Sequence, residues 1–333
     1  MAASLKFGLV LPHFGRHASV EKCLDGAIKA EAFGFHSVWV RDHLVFTPYD
    51  MEGSDSTHIE GLLVLSAVAA VTKKLTVGTA MTICHRHPIH LAQCFAALSR
   101  IADGRVIMGM GLGGFPHEFA AAGLPTALSD RARLARIHAN LCRRLWAGER
   151  VSYQDEHYNF QRVQLRPVPV YPIPIWWGGS TLAACRRAVE FGDGWLPARI
   201  TLDIFTKRMA YLREFSQKVG RPMITAGVMP LTSIAEDKEK ALKHINVKSL
   251  IGEANRNSNW VKPVSGNFST MEDVRGLVLA GTPEEIIRET RAYQTAGAAL
   301  IVFDLRFRFS DWNRQIDLLG KEVLPALRVA RAG

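Results

Sequence analysis

Asp42 and His43 stand directly after the run Ser37-Val38-Trp39-Val40-Arg41, which places an imidazole and a carboxylate at the end of a buried strand. An imidazole titrates near neutrality and a neighbouring carboxylate can fix its tautomer or raise its pKa, so the pair suits proton transfer. Two glycine-rich stretches, Gly109-Met110-Gly111-Leu112-Gly113-Gly114 and Gly178-Gly179-Ser180-Thr181, also lie between a strand-like and a helix-like segment. Glycines there let backbone N–H groups approach a phosphate, and a helix N-terminus adds partial positive charge. Either run taken alone reads equally as a tight turn. Gly109, Gly111 and Gly114 spell G-x-G-x-x-G, but no acidic residue closes a following strand some twenty residues on, as a dinucleotide fold requires. His85, His87 and His90 are interrupted by Pro88 and do not share a helical face, which argues against a metal site. Glu118 falls near a helix start, where a carboxylate interacts favourably with the helix dipole.

These residues need a frame, and a repeated grammar supplies it. An amphipathic helix ends at a glycine and a short β-branched or aromatic strand follows at once. Residues 20–34 lead into Ser37–Val40, and Leu91–Ala102 with Gly104 into Val106–Met108. Ala184–Phe191 with Gly192 leads into Gly194–Pro197, and Thr282-Pro283-Glu284-Glu285, a capping box, opens a helix before Leu300–Phe303. Strands that follow helices so closely run parallel through right-handed crossovers. With Phe7–Leu11, Leu75–Thr82, Ile173–Trp177 and Ile224–Pro230 the count reaches eight, which favours an α/β fold of the closed (β/α)8 TIM barrel type over an open doubly wound sheet. The whole chain, 1–333, reads as one barrel domain. Two insertions interrupt it, a β-hairpin at about 151–166 and a polar excursion at about 246–275 that reads as a loop or lid.

Composition narrows the classes further. The five cysteines are odd in number and far apart, which suits free thiols. The start lacks a signal-peptide pattern and no apolar run is long enough to span a bilayer, so a cytoplasmic protein is expected. A net charge of +10 comes from scattered residues such as Arg143-Arg144, Arg186-Arg187 and Lys207-Arg208, which read as solvated helix faces rather than a nucleic-acid surface. An anionic small molecule remains compatible with it.

The ordered set of motifs resembles the bacterial luciferase-like flavin and deazaflavin oxidoreductases, in particular their F420-dependent branch. The matching stretches include Lys6–Pro12, Ala30–Phe35, Val38–His43, Val77–Thr79, Gly104–Gly114 with Glu118-Phe119, Trp176–Gly179, Gly192–Trp195 and Gly281–Glu285. The resemblance implies a barrel whose cofactor ring lies over the strand ends. It implies Asp42 and His43 beside the ring, His43 as proton donor or acceptor and Glu118 as a second catalytic group. Thr79, Ala80 and Met81 would support the ring, with a non-proline cis peptide among them. Gly111, Gly113, Gly178, Gly179, Ser180 and Thr181 would hold the phosphate, and His87 would join the cofactor site. His13, Phe14, Trp177 and Trp195 are the expected substrate contacts. Hydride transfer through F420 to or from a small organic substrate is the leading reading. The alternatives are an FMN-dependent monooxygenase, which uses O2 and a partner flavin reductase, and a flavin-binding protein without catalysis. A homodimer is expected from the same resemblance.

Overall fold

The computed structural model describes residues 5–256 and 261–328. Eight parallel strands close into a barrel: β1 (Lys6–Val10), β2 (Ser37–Val40), β3 (Thr76–Thr79), β4 (Val106–Met110), β5 (Ile175–Trp177), β6 (Gly194–Trp195), β7 (Thr225–Val228) and β8 (Leu300–Phe303). They follow one another round the ring in chain order, and β1 closes on β8 with Lys6 opposite Leu300. All eight coincide with the strands read from sequence. Each is a short β-branched or aromatic run that is buried on both faces, as helices outside a barrel require.

Glycine does two different jobs at the helix ends. Gly34, Gly104 and Gly297 adopt positive φ of 76°, 77° and 106°, the left-handed conformation that stops a helix. Gly192 instead has an extended backbone, and a Cβ there would lie 2.5 Å from Trp177 Cδ1. The helix Pro283–Ala296 carries the predicted capping box, with Thr282 and Glu285 reciprocally bonded.

The barrel interior is filled by Trp39 from β2 and Trp176 from β5, whose ring centroids are 6.2 Å apart. Glycines on neighbouring strands make room for them. A Cβ on Gly78 would sit 2.6 Å from the Trp39 ring, and one on Gly8 would sit 2.9 Å from Trp39 Nε1. The floor beneath the strand ends is therefore solid.

Strands Val151–Gln154 and Asn159–Val163 form the antiparallel hairpin, turned by Asp155, whose Oδ1 accepts from the amides of His157 and Tyr158 at 2.8 Å. The second insertion is more ordered than its polar composition suggests. Val247–Arg256 is a helix that buries Leu250, Glu253 and Ala254, and beside it Leu231–Ile234 pairs in parallel with Val278–Gly281 outside the barrel. These elements enclose a small core of their own, which includes Ile245, Phe268, Val274 and Leu277. The reading of 246–275 as an irregular loop is thus corrected over 247–256; residues 257–260 of that stretch lie outside the described residues. Among the described residues, no helix is long and apolar enough to cross a membrane.

Candidate functional site

A cavity of about 290 Å³ opens at the C-terminal ends of the strands. The turns after β2, β3, β4 and β5 supply most of its wall, which is where a parallel barrel gathers the freest side chains and backbone amides. His43 reaches it from the end of β2. Its Nδ1 lies 3.2 Å from both carboxylate oxygens of Glu118, which is fully buried in the short helix Pro116–Ala121. Glu118 Oε1 also accepts from the amides of Leu44 at 2.8 Å and Val45 at 3.2 Å.

Burial alone would raise the Glu118 pKa, but the bond to His43 and the two amides outweigh it and hold the pKa below the usual value. For His43, burial is the largest influence and lowers its pKa, against the pull of Glu118 in the other direction. The result is a neutral imidazole beside an ionised carboxylate. Nδ1–H donates to Glu118, and the Nε2 lone pair is left for the cavity.

Asp42 also lines the cavity, but its carboxylate is committed elsewhere. It accepts from Arg86 Nη1 at 2.6 and 2.7 Å and from the Ile83 amide at 2.8 Å. The partner that orients His43 is therefore Glu118 and not the adjacent Asp42, and the helix-start position of Glu118 serves this bond rather than a dipole alone.

Ala80 and Met81 form the wall next to His43, and the peptide between them is cis. Thr79 lies underneath. Its hydroxyl donates to Gly109 O at 3.2 Å and accepts from Gly109 N at 3.0 Å and from Thr82 Oγ1 at 2.7 Å, so it ties β3 to β4 and does not face the cavity. Gly111 and Gly178 flank Met81 so closely that a Cβ on either would come within 2.8 Å and 2.7 Å of its side chain. Gly111, Gly113, Gly178, Gly179, Ser180 and Thr181 all line the cavity.

Four residues expected at the substrate and one expected at the cofactor do not line this cavity. His13 is fully buried, with Nδ1 2.8 Å from Ile59 O and Nε2 accepting from Arg41 N at 2.9 Å. Phe14 is buried edge-on to Phe46 and Phe309, with the Arg41 guanidinium 4.5 Å from its ring centroid. Trp177 is buried in the core, and Trp195 donates its indole N–H to Gly179 O at 2.8 Å, which fixes the glycine turn from behind. His87 caps the helix Pro88–Ile101 by accepting from Ile89 N at 3.2 Å and packs on Tyr158. His85 and His90 point to other neighbours, Asp42 and Cys94.

Sequence reasoning missed the arginines. Arg187 lines the cavity one turn beyond Ala184 on the helix Leu182–Phe191, and its Nε is buried without a hydrogen-bond partner. The signal was available, because Ala184 and Arg187 at i, i+3 share the face that follows the Thr181 cap. At the opposite end Arg41 and Arg306 converge on Glu52, and Arg306 also grips Asp304 at 2.9 and 3.0 Å. Burial works against ionised Glu52, yet the arginines hold its pKa down at about 2. Arg199 stacks over Tyr49 at 3.7 Å on the same side.

A closed parallel barrel with a His–Glu pair and a glycine-rich cradle at its strand ends is the arrangement of a barrel enzyme that can move a proton beside an anionic ligand. Residues 5–300 match the luciferase-like monooxygenase family, and the chain belongs to that family. It is 31% identical to the F420-dependent hydroxymycolic acid dehydrogenase of Mycobacterium tuberculosis, over 98% of this chain and 89% of that protein. It is 28% identical to the F420-dependent glucose-6-phosphate dehydrogenase of Nakamurella multipartita, over 95% of this chain and 96% of that one. Its fold is that of an F420-dependent secondary alcohol dehydrogenase solved with an F420-acetone adduct, at a TM-score of 0.83 and 22% identity, covering 98% and 99% of the two chains.

Proposed function

We propose that this protein is an F420-dependent dehydrogenase that interconverts an alcohol and a carbonyl compound. The carrying observation is the His43–Glu118 pair, which faces a cavity whose far side carries the turn Gly178–Thr181 and Arg187.

The residues present suit the cofactor. Ser180 and Thr181 stand at the start of a ten-residue helix, whose dipole favours an anion there. The unpartnered Nε of Arg187 lies on the same wall and supplies a charged donor for a phosphate oxygen. Arg136 and Arg186 stand close enough to depress the Arg187 pKa, after the larger effect of burial, so the anionic tail of F420 would meet further positive charge there. Ala80, Met81 and Gly111 line the wall against which the ring would lie, and Gly111 has no side chain to stand in its way.

When bound, the deazaflavin supplies the hydride acceptor. The protein supplies the rest. His43 Nε2 takes the hydroxyl proton of the alcohol as the carbonyl forms, and Glu118 stabilises the resulting imidazolium through Nδ1–H. In the reverse direction the same imidazolium returns the proton.

Titration of the purified protein with F420 and with FMN tests the reading. Tighter binding of F420, with loss of its oxidised absorbance on addition of an alcohol, is the expected result. Binding of FMN alone would overturn it in favour of a flavin monooxygenase, and binding of neither would sink both. Arg187→Gln is expected to weaken F420 about tenfold, in keeping with the loss of one charged hydrogen bond. The weakening should shrink as salt is raised, since the interaction is ionic. Unchanged affinity in the variant would remove Arg187 from the phosphate site.

A further inference from the structure

Arg131, on the helix Leu128–Trp146, is a buried cation with no anion beside it: the residue is only 7% exposed. Its Nη1 donates to Gly113 O at 2.7 Å and to Leu112 O at 3.3 Å, its guanidinium lies 5.2 Å from the centroid of the buried Phe119 ring, and its Nε is buried without a hydrogen-bond partner. Among the described residues no carboxylate pairs with it, and burial alone governs its pKa, which it lowers. Two carbonyls could be tied down by a neutral donor at a smaller cost in desolvation. The charge is what needs a partner.

The two carbonyls also say where that partner sits. A trans peptide points its C=O and the following N–H in opposite directions, and both peptides here are trans. With the oxygens of Leu112 and Gly113 drawn to Arg131, the amides of Gly113 and Gly114 face away from it, and both glycines line the cavity whereas Arg131 does not. Neither amide donates to another described residue. A Cβ on Gly113 would strike the Phe119 ring at 2.7 Å, while one on Gly114 would meet only the Tyr49 hydroxyl, at 3.1 Å, so the turn has packed protein on one side and space on the other. Two peptide dipoles with a cation behind them make a preorganised site for negative charge.

We propose that Arg131 is a positioning residue for the cofactor: it turns the amides of Gly113 and Gly114 into the cavity as a paired donor for an anionic oxygen, whose charge balances its own. The inference rests on the F420 reading above for the bearer of that oxygen, which is either the phosphate or a ring carbonyl that gains negative charge on reduction.

The test is calorimetric titration of the unaltered protein, Arg131→Gln and Arg131→Lys with F420. Gln keeps a donor for the carbonyls and loses the charge; Lys keeps both. Arg131→Gln is expected to weaken F420 about tenfold, the scale of one charge-assisted contact, and Arg131→Lys to stay within about threefold of the unaltered protein. The deazaflavin mononucleotide and its phosphate-free form then name the bearer: an Arg131→Gln effect that needs the phosphate assigns it, and one that survives without phosphate and grows on reduction assigns the ring carbonyl. Unchanged affinity in Arg131→Gln, or equal losses in both variants, reduces Arg131 to a structural tie and overturns the inference while the F420 reading stands.

Should either variant fail to fold, the unaltered protein decides. With an NMR-active nitrogen at glycine, the Gly113 and Gly114 amide protons are expected to move downfield on addition of F420, and unmoved resonances refute the pair. If no F420 binds, the cofactor reading fails instead, and the same resonances followed against FMN and inorganic phosphate settle the amide pair: movement with either supports it, and no movement with both refutes it.

Discussion

A Glu118→Gln variant is expected to lose about 10³- to 10⁴-fold in kcat/KM while F420 still binds, by the logic that makes an amide a poor substitute for the carboxylate of a catalytic triad. The amide oxygen can go on accepting from Leu44 and Val45, so the loop keeps its place. Its NH2 then faces His43 Nδ1, which must become the acceptor. The proton moves to Nε2, and the nitrogen that should take a proton from the alcohol already carries one. His43→Ala should cost a similar factor of roughly 10² to 10⁴. The two residues act as a unit, so the double variant should be little worse than the more damaging single one. Additive losses in single-turnover measurements would show that they do not work as a pair. In the unaltered protein kcat/KM should rise with pH through the His43 pKa, which burial places below 6.5, and be level through neutrality.

The second large effect is on stability. His13 is buried with both ring nitrogens occupied, and burial chiefly, opposed by the Ile59 bond, brings its pKa down to about 3. To take a proton on Nε2 it would have to give up the Arg41 amide. The unfolded chain protonates the same imidazole near 6.5, so between pH 6.5 and 3 the unfolded state binds more protons and folding weakens as pH falls. The contribution of this one residue is complete above pH 6.5, and its loss across the window amounts to roughly 5 kcal/mol. His36 and His58, lowered to about 4 chiefly by burial, act in the same direction. Urea unfolding at pH 7, 6, 5 and 4.5 should therefore show a steadily falling midpoint before most carboxylates titrate. A midpoint that stays level from pH 7 to 5 would contradict the buried, neutral state of these histidines.

The strands were legible because each is a short β-branched or aromatic run set off by a helix stop, as with Gly34 before Ser37–Val40. The glycine turns were legible too, since few other roles call for four small residues between a strand and a helix. Which way a side chain faces at a strand end was not. His13 and Phe14 follow β1 much as Asp42 and His43 follow β2, yet the first pair is buried away from the cavity wall and the second lines it. Adjacency in the chain also misled, because it suggested Asp42 as the partner of His43. The partner comes from 75 residues further on, and only the closed barrel brings β2 and the segment after β4 together. In the stretch 246–275, Leu250 and Ala254 carry the i, i+4 spacing of a helix, but the polar residues around them hid it.

Trp39 and Trp176, wedged against glycines that cannot accept even a methyl group, also bear on how this protein can change. Any larger residue at Gly8 or Gly78 would have to displace an indole from the axis. Novelty is therefore barred from the interior and free in the turns beyond the strand ends, which surround the cavity and can vary without moving a strand. Descendants of this sequence would acquire new substrates by rewriting the doorway while inheriting the floor unaltered.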